Sequence, residues 1–124
     1  MRTALVIEDN ENNLELITFI LHAGHYATRS AMTGLDGVAE ALRERPDFIL
    51  LDIQLPDIDG LEVARRIRAN ETGDPIPMIA ITSFAMAGDR ERVLAAGCNG
   101  YIEKPIDPLR VMSQIEHVLA QAGE

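Results

Sequence analysis

Tryptophan is absent from the chain, and two tyrosines and three phenylalanines bring the aromatic share to only 4%. Any core must therefore be built from aliphatic side chains. Cys98 is the sole cysteine, which excludes an intramolecular disulfide and a cysteine-rich metal site. Within Ala-Ala-Gly-Cys-Asn-Gly it reads as a small buried filler. No apolar run approaches a membrane span, and the N-terminal Met-Arg-Thr-Ala-Leu-Val-Ile lacks the long apolar region of a signal peptide. A cytoplasmic protein without membrane contact is expected. Basic residues are scarce, 11 against 20 acidic, and the formal net charge is −9. Phosphate backbones and anionic lipid repel such a chain, so direct nucleic-acid binding is not expected. Repeats, linkers and low-complexity segments are also missing.

What is present suits one soluble domain. The 124 residues, 47% of them apolar and 25% charged, fit a single domain over 1–124 with a real core. Short β-branched runs alternate with helical patterns. Leu5-Val6-Ile7 reads as a first strand, followed by a helix capped by Asn10 with Leu14, Ile17, Ile20 and Leu21 as its buried stripe. Gly24 ends that helix, and residues 26–29 form a short second strand. Thr33-Gly34-Leu35-Asp36 opens a helix through Leu42, ahead of Pro46. Phe48-Ile49-Leu50-Leu51 is the continuous apolar run of a strand covered on both faces. Asp59 caps a helix to about Arg68, with Glu62 completing a capping box and Leu61, Ala64 and Ile67 facing inward. Met78–Ile81 is a fourth strand. A weaker helix over 85–96 carries Val93, Leu94 and alanines, and Tyr101-Ile102 is a brief fifth strand. Asp107-Pro108 opens a last helix with Leu109, Met112, Ile115 and Leu119 facing the core, while Val111 and Val118 beside that stripe hint at a docking surface. Five strands alternating with five helices predict a doubly wound α/β fold, (βα)5, with a parallel sheet in the flavodoxin-like order 2-1-3-4-5.

In such a sheet ligands bind beyond the carboxyl ends of the strands, where strands 1 and 3 send their helices to opposite faces. Glu8 and Asp9 follow strand 1, Asp52 ends strand 3, Thr82 and Ser83 end strand 4, and Lys104-Pro105 follows strand 5. Three carboxylates that repel one another on one rim favour a hard divalent cation, and Mg²⁺ suits oxygen ligands alongside phosphate. A carboxylate is a competent nucleophile for an aspartyl phosphate. Lys104 offers a compact positive charge and Thr82 a hydroxyl donor. Glu8 and Asp9 could instead cap the first helix, though Asn10 already does so. Asp57 and Asp59 are explained by the turn Pro56–Gly60. Asp89 and Glu91 read as a solvated helix face, and His22, His25 and His117 as surface residues without a metal-ligand partner.

These pieces resemble the receiver domains of response regulators, the CheY-like superfamily. They are Glu8-Asp9, Leu50-Leu51-Asp52-Ile53-Gln54-Leu55-Pro56 with Asp59-Gly60, Ile81-Thr82-Ser83, and Tyr101-Ile102-Glu103-Lys104-Pro105, in order over essentially the whole chain. The resemblance extends to stand-alone receivers of the CheY or DivK kind, with Asp-Ile-Gln-Leu-Pro and Phe84-Ala85-Met86 leaning toward the latter. It implies that Asp52 accepts a phosphoryl group from a sensor histidine kinase or phosphotransfer protein. Asp9, Asp52 and the Gln54 backbone carbonyl would ligate Mg²⁺, with Glu8 acting mostly through water. Thr82 and Lys104 would hold the phosphoryl oxygens, and Tyr101 would turn inward, re-forming the surface of helix 4, strand 5 and helix 5 for a downstream protein. Gln54 and Ser83 would tune the phosphate lifetime, and the Lys104–Pro105 peptide would be cis. The resemblance also allows a dimer on activation.

Three other readings compete. A haloacid-dehalogenase-like phosphatase also uses a strand-end aspartate, Mg²⁺ and a lysine, but wants a second acid where this chain has Gln54. A flavodoxin-like FMN carrier wants a Gly/Ser/Thr-rich first loop, and Glu8-Asp9-Asn10-Glu11 is acidic. The receiver portion of a hybrid histidine kinase differs only in context; Met1 close to the first strand and the short tail 121–124 favour an independent protein.

Overall fold

Apolar side chains alternate between the two faces of every central strand, and that alternation decides the layering. In a computed structural model of the chain, which describes residues 1–83 and 88–122, five strands and five helices alternate. They are β1 Thr3–Ile7, α1 Glu11–Ala23, β2 Ala27–Ala31, α2 Gly34–Arg43, β3 Phe48–Asp52, α3 Gly60–Asn70, β4 Met78–Thr82, α4 Asp89–Ala95, β5 Gly100–Glu103 and α5 Val111–Gln121. All pairings are parallel, in the order β2-β1-β3-β4-β5. Leu5, Ile7, Ile49, Leu51, Met78 and Ala80 point to the side covered by α2, α3 and α4, where they meet Ala41, Val63, Ala64, Ile67 and Val93. Ala4, Val6, Phe48, Leu50, Ile79, Ile81 and Ile102 point to α1 and α5, against Ile17, Leu21, Ile115 and Leu119. Residues of β3 and β4 are buried throughout, as strands covered on both faces must be.

Helix starts follow the predicted caps in three cases. Asn10 Oδ1 accepts from the Asn13 amide at 3.0 Å, Thr33 Oγ1 from Asp36 at 3.1 Å, and Asp59 Oδ1 from Glu62 at 2.9 Å. Glu62 does not complete a box, because its carboxylate pairs with Arg65 and Arg66 instead. Gly37 marks a close helix–sheet approach: a Cβ there would stand 2.6 Å from Ile7 Cδ1.

Other expectations need correction. The second strand is Ala27–Ala31, and Tyr26 instead packs edge-on against Phe48, ring centroids 5.3 Å apart. Its polar Thr-Arg-Ser carries no apolar period, so only pairing with β1 sets its extent. Among the described residues α4 begins at Asp89, after Gly88 in the left-handed region (φ 97°), and Leu94 is exposed. Residues 85–87 of the predicted helix, and with them the Phe84-Ala85-Met86 segment, lie outside the described residues. Asp107 caps a turn rather than α5: its Oδ1 accepts from Leu109 at 3.0 Å, and α5 proper starts at Val111. That turn leaves Leu109 94% exposed, whereas Val111 and Val118 are 2% and 8% exposed. Met112, Ile115 and Leu119 pack on the core as predicted, and only Leu109, which lies ahead of the helix, departs from that face; the two valines join the core rather than a docking surface.

Candidate functional site

β1 and β3 are neighbours, yet α1 leaves toward one face and α3 toward the other. Diverging crossovers open a crevice beyond the strand ends. The register pairs Ile7 with Leu51, so Glu8 and Asp52, one residue on, stand side by side. Asp52 in turn pairs with Ile81, which sets Thr82 at the next strand end. Thr82 pairs with Glu103, and the Lys104 amide donates to the Thr82 carbonyl at 2.8 Å. Four strand ends thus deliver their polar residues to one rim.

Glu8, Asp52 and Thr82 are 1%, 2% and 4% exposed, the only buried polar or charged residues among those described. Glu8, Asp9 and Asp52 each bring a carboxylate oxygen within 4.8 Å of the others. Lys104 Nζ lies 3.3 Å from Asp52 Oδ1 and 3.6 Å from Glu8 Oε1. Asp52 Oδ1 also accepts from the Gln54 amide at 3.0 Å, and Glu8 Oε2 from the Asn10 amide at 3.2 Å. Burial pushes the Glu8 carboxyl up to about 7, and the neighbouring Asp52 carboxylate adds to the rise; the Asn10 amide and Lys104 act against it. With all three acids ionised, three negative charges face one ammonium, an excess that matches one divalent cation. Glu8 Oε1 is buried and has no hydrogen-bond partner among the described residues. A buried carboxylate oxygen whose partner is a long ion pair to Lys104, in an oxygen-only donor set, fits a hard cation.

Ser83 is exposed and lines an open cleft of about 480 Å³ with Asn13, Leu16, Lys104, Pro105 and Ile106. The Gln54 side chain is exposed, so its contribution to the rim is its backbone. Lys104–Pro105 is cis. Tyr101 stands apart from the rim: it pairs with Ala80, two residues before Thr82, and is half-buried against the α2–α4 side of the core. Cys98 is buried, and burial pushes its thiol up to about 11, which leaves it inert.

Two features escaped the sequence reading. Lys104 is the only lysine of the chain, the other ten basic residues being arginines; a lone ammonium among guanidiniums was a legible signal. The local pattern explains Asp57 as a turn residue, yet its two oxygens accept from the amides of Gly34 and Leu35, both at 2.8 Å. No local pattern announces a contact across 23 residues.

Residues 4–116 match the response regulator receiver domain family. The chain is 40% identical over 121 residues to the polar-differentiation response regulator DivK of Brucella anthropi, with 98% of each chain covered. Among solved structures it resembles the receiver domain of a Pseudomonas aeruginosa sensor histidine kinase, which carries a coordinated magnesium ion in its active-site cleft. That likeness has a TM-score of 0.86 at 36% identity and covers 99% of this chain and 98% of the other. A CheY-like receiver domain protein from Methanospirillum hungatei gives a TM-score of 0.88 at 27% identity, covering 99% and 97%. Family match, relatives of equal length and a rim of strand-end acids all agree: this chain belongs to the response regulator receiver domain family.

Proposed function

We propose that the chain is a single receiver domain whose Asp52 carboxylate accepts a phosphoryl group from a sensor histidine kinase or a phosphotransfer protein in the cytoplasm. The observation that carries this reading is the placement of Asp52: a buried strand-end carboxylate beside Glu8 and Asp9, with Lys104 Nζ 3.3 Å away. Transfer forms a phosphorus–oxygen bond to Asp52 as the donor's phosphorus–nitrogen bond breaks; the freed nitrogen keeps the electron pair, and the donor histidine leaves as neutral imidazole, its one ring proton already on the other nitrogen or taken from solvent. Asp9, Asp52 and the Gln54 backbone carbonyl would hold Mg²⁺, with Glu8 acting mostly through a water. When bound, the ion supplies positive charge that lets phosphoryl oxygens approach three carboxylates.

The remaining steps belong to the chain's own residues. Lys104 already faces Asp52, so its ammonium can hold a phosphoryl oxygen without crossing the site. Thr82, buried at the end of β4, the strand between those of Asp52 and Lys104, provides a hydroxyl at the same rim. Its carbonyl holds the Lys104 amide, so a pull on Thr82 is felt at the end of β5. This link supports relay to a surface of α4, β5 and α5, where Tyr101 sits, and to an output protein. Phosphorylation adds up to about two negative charges, to which the Lys104 and Thr82 contacts respond. The chain acts as a switch and catalyses at most its own phosphorylation and dephosphorylation.

The test is labelling with acetyl phosphate and Mg²⁺. Wild type is expected to incorporate one phosphoryl group, lost in Asp52→Asn; equal labelling of the two refutes the assignment.

A further inference from the structure

The first turn of α2 needs acceptors for amides that have no partner within the helix. Thr33 Oγ1 takes the Asp36 amide at 3.1 Å. The Gly34 and Leu35 amides go instead to Asp57, Oδ1 and Oδ2 respectively, both at 2.8 Å. Asp57 lies at the tip of the loop that joins β3 to α3. That loop starts at Ile53, immediately after Asp52, and returns at Gly60, whose amide donates to the Ile53 carbonyl at 2.8 Å. Its two ends are in such close contact that a Cβ on Gly60 would stand 2.6 Å from the Asp52 carbonyl oxygen. The tip is equally tight against α2, where a Cβ on Gly34 would stand 2.6 Å from Ile58 Cγ1 and 3.2 Å from Asp57 Oδ1. Between root and tip lies Gln54, whose amide donates to Asp52 Oδ1 at 3.0 Å.

We propose that Asp57 is a positioning residue for the Asp52 site: by clamping the N-terminus of α2, it fixes the β3–α3 loop and sets the Gln54 backbone against the Asp52 carboxylate. The clamp joins an element that carries site atoms to one that carries none. It is rigid because one planar carboxylate receives two amides, both charge-assisted hydrogen bonds, at the positive end of the helix dipole. Consistently, the Leu35 and Gly34 amides hold the Asp57 carboxyl down at about 2, so the clamp stays ionised at any physiological pH. Metal ligands and nucleophiles depend on such outer partners for their orientation.

The inference rests on the proposed Mg²⁺ and phosphoryl site, and the experiment separates the two. Amide hydrogen exchange of Gln54 is followed in the metal-free protein, and Mg²⁺ binding by calorimetry, for wild type, Asp57→Ala, Asp57→Asn and Thr33→Ala. Loss of an outer partner weakens metal binding by about tenfold or more, so Asp57→Ala is expected to raise the Mg²⁺ Kd and to speed Gln54 exchange by about that factor. Asp57→Asn, which keeps one acceptor oxygen, should fall between. Thr33→Ala removes the helix's own cap without touching the loop; it should lower the protection of α2 while leaving Gln54 exchange and the Mg²⁺ Kd unchanged. Unaltered Gln54 exchange in Asp57→Ala, or equal effects of Asp57→Ala and Thr33→Ala, would overturn the clamp. Faster Gln54 exchange in a protein whose wild type binds no Mg²⁺ would uphold the clamp and overturn the metal reading.

Discussion

Acid should loosen Mg²⁺ before it unfolds the protein. Glu8 is raised from its ordinary 4.5 to about 7 by burial and by the Asp52 carboxylate, so near neutrality it shares its site with a proton that a cation must displace. For one such proton the apparent Kd scales as one plus ten to the power of pKa minus pH, giving a factor of about 1.1 at pH 8 and about 11 at pH 6. Mg²⁺ affinity is therefore expected to fall about tenfold over that interval. Calorimetry in two buffers of different ionisation enthalpy should show about 0.9 proton released per ion at pH 6 and about 0.1 at pH 8. The sign for stability follows from the same shift. A carboxyl with a raised folded pKa favours the fold fully below about 4.5, and that contribution is lost as pH climbs through about 7. For the metal-free protein the loss is on the order of 3 kcal/mol. Glu8→Gln should flatten both profiles and stabilise the metal-free protein at pH 8. Equal wild-type Mg²⁺ affinities at pH 6 and pH 8 would refute the reasoning.

Two further predictions concern the packing that holds the rim. Gly37→Ala places a Cβ 2.6 Å from Ile7 Cδ1 and pushes α2 off β1; urea unfolding should show a loss of about 1–3 kcal/mol, despite the better helix propensity of alanine. In α5, Val118→Ala should lower stability by about 1–2 kcal/mol, while Leu109→Ala should stay within about 0.5 kcal/mol of wild type. Thermal or urea unfolding of the pair checks that Val118 and not Leu109 belongs to the core, and the reverse ranking would refute it.

Legibility in the sequence followed the range of the interaction. The central strands were readable because burial on both faces demands unbroken apolar runs, as at residues 48–51 and 78–81. The caps at Asn10, Thr33 and Asp59 were readable because a side-chain oxygen and the amide that donates to it lie three residues apart. The extent of β2 was not, since its polar residues owe their conformation to pairing with β1. The places of Leu109, Val111 and Val118 are hidden for a similar reason, although Met112, Ile115 and Leu119 face the core as predicted. Asp107-Pro108 is a plausible helix start, and only the turn before Val111 decides which side chains reach the sheet.

By itself the sequence determined the alternation of strands and helices, the acidic balance, and which residues end each strand, because these depend on neighbours a few positions away. It thereby named Glu8, Asp9, Asp52, Thr82 and Lys104 as the residues of one rim. Tertiary structure alone decided how that rim is charged and held. Burial in the crevice lifts Glu8, Lys104 bridges two carboxylates, and Asp57 reaches across to α2. Desolvation and contacts between distant segments arise only when the chain closes on itself, and no local pattern encodes them.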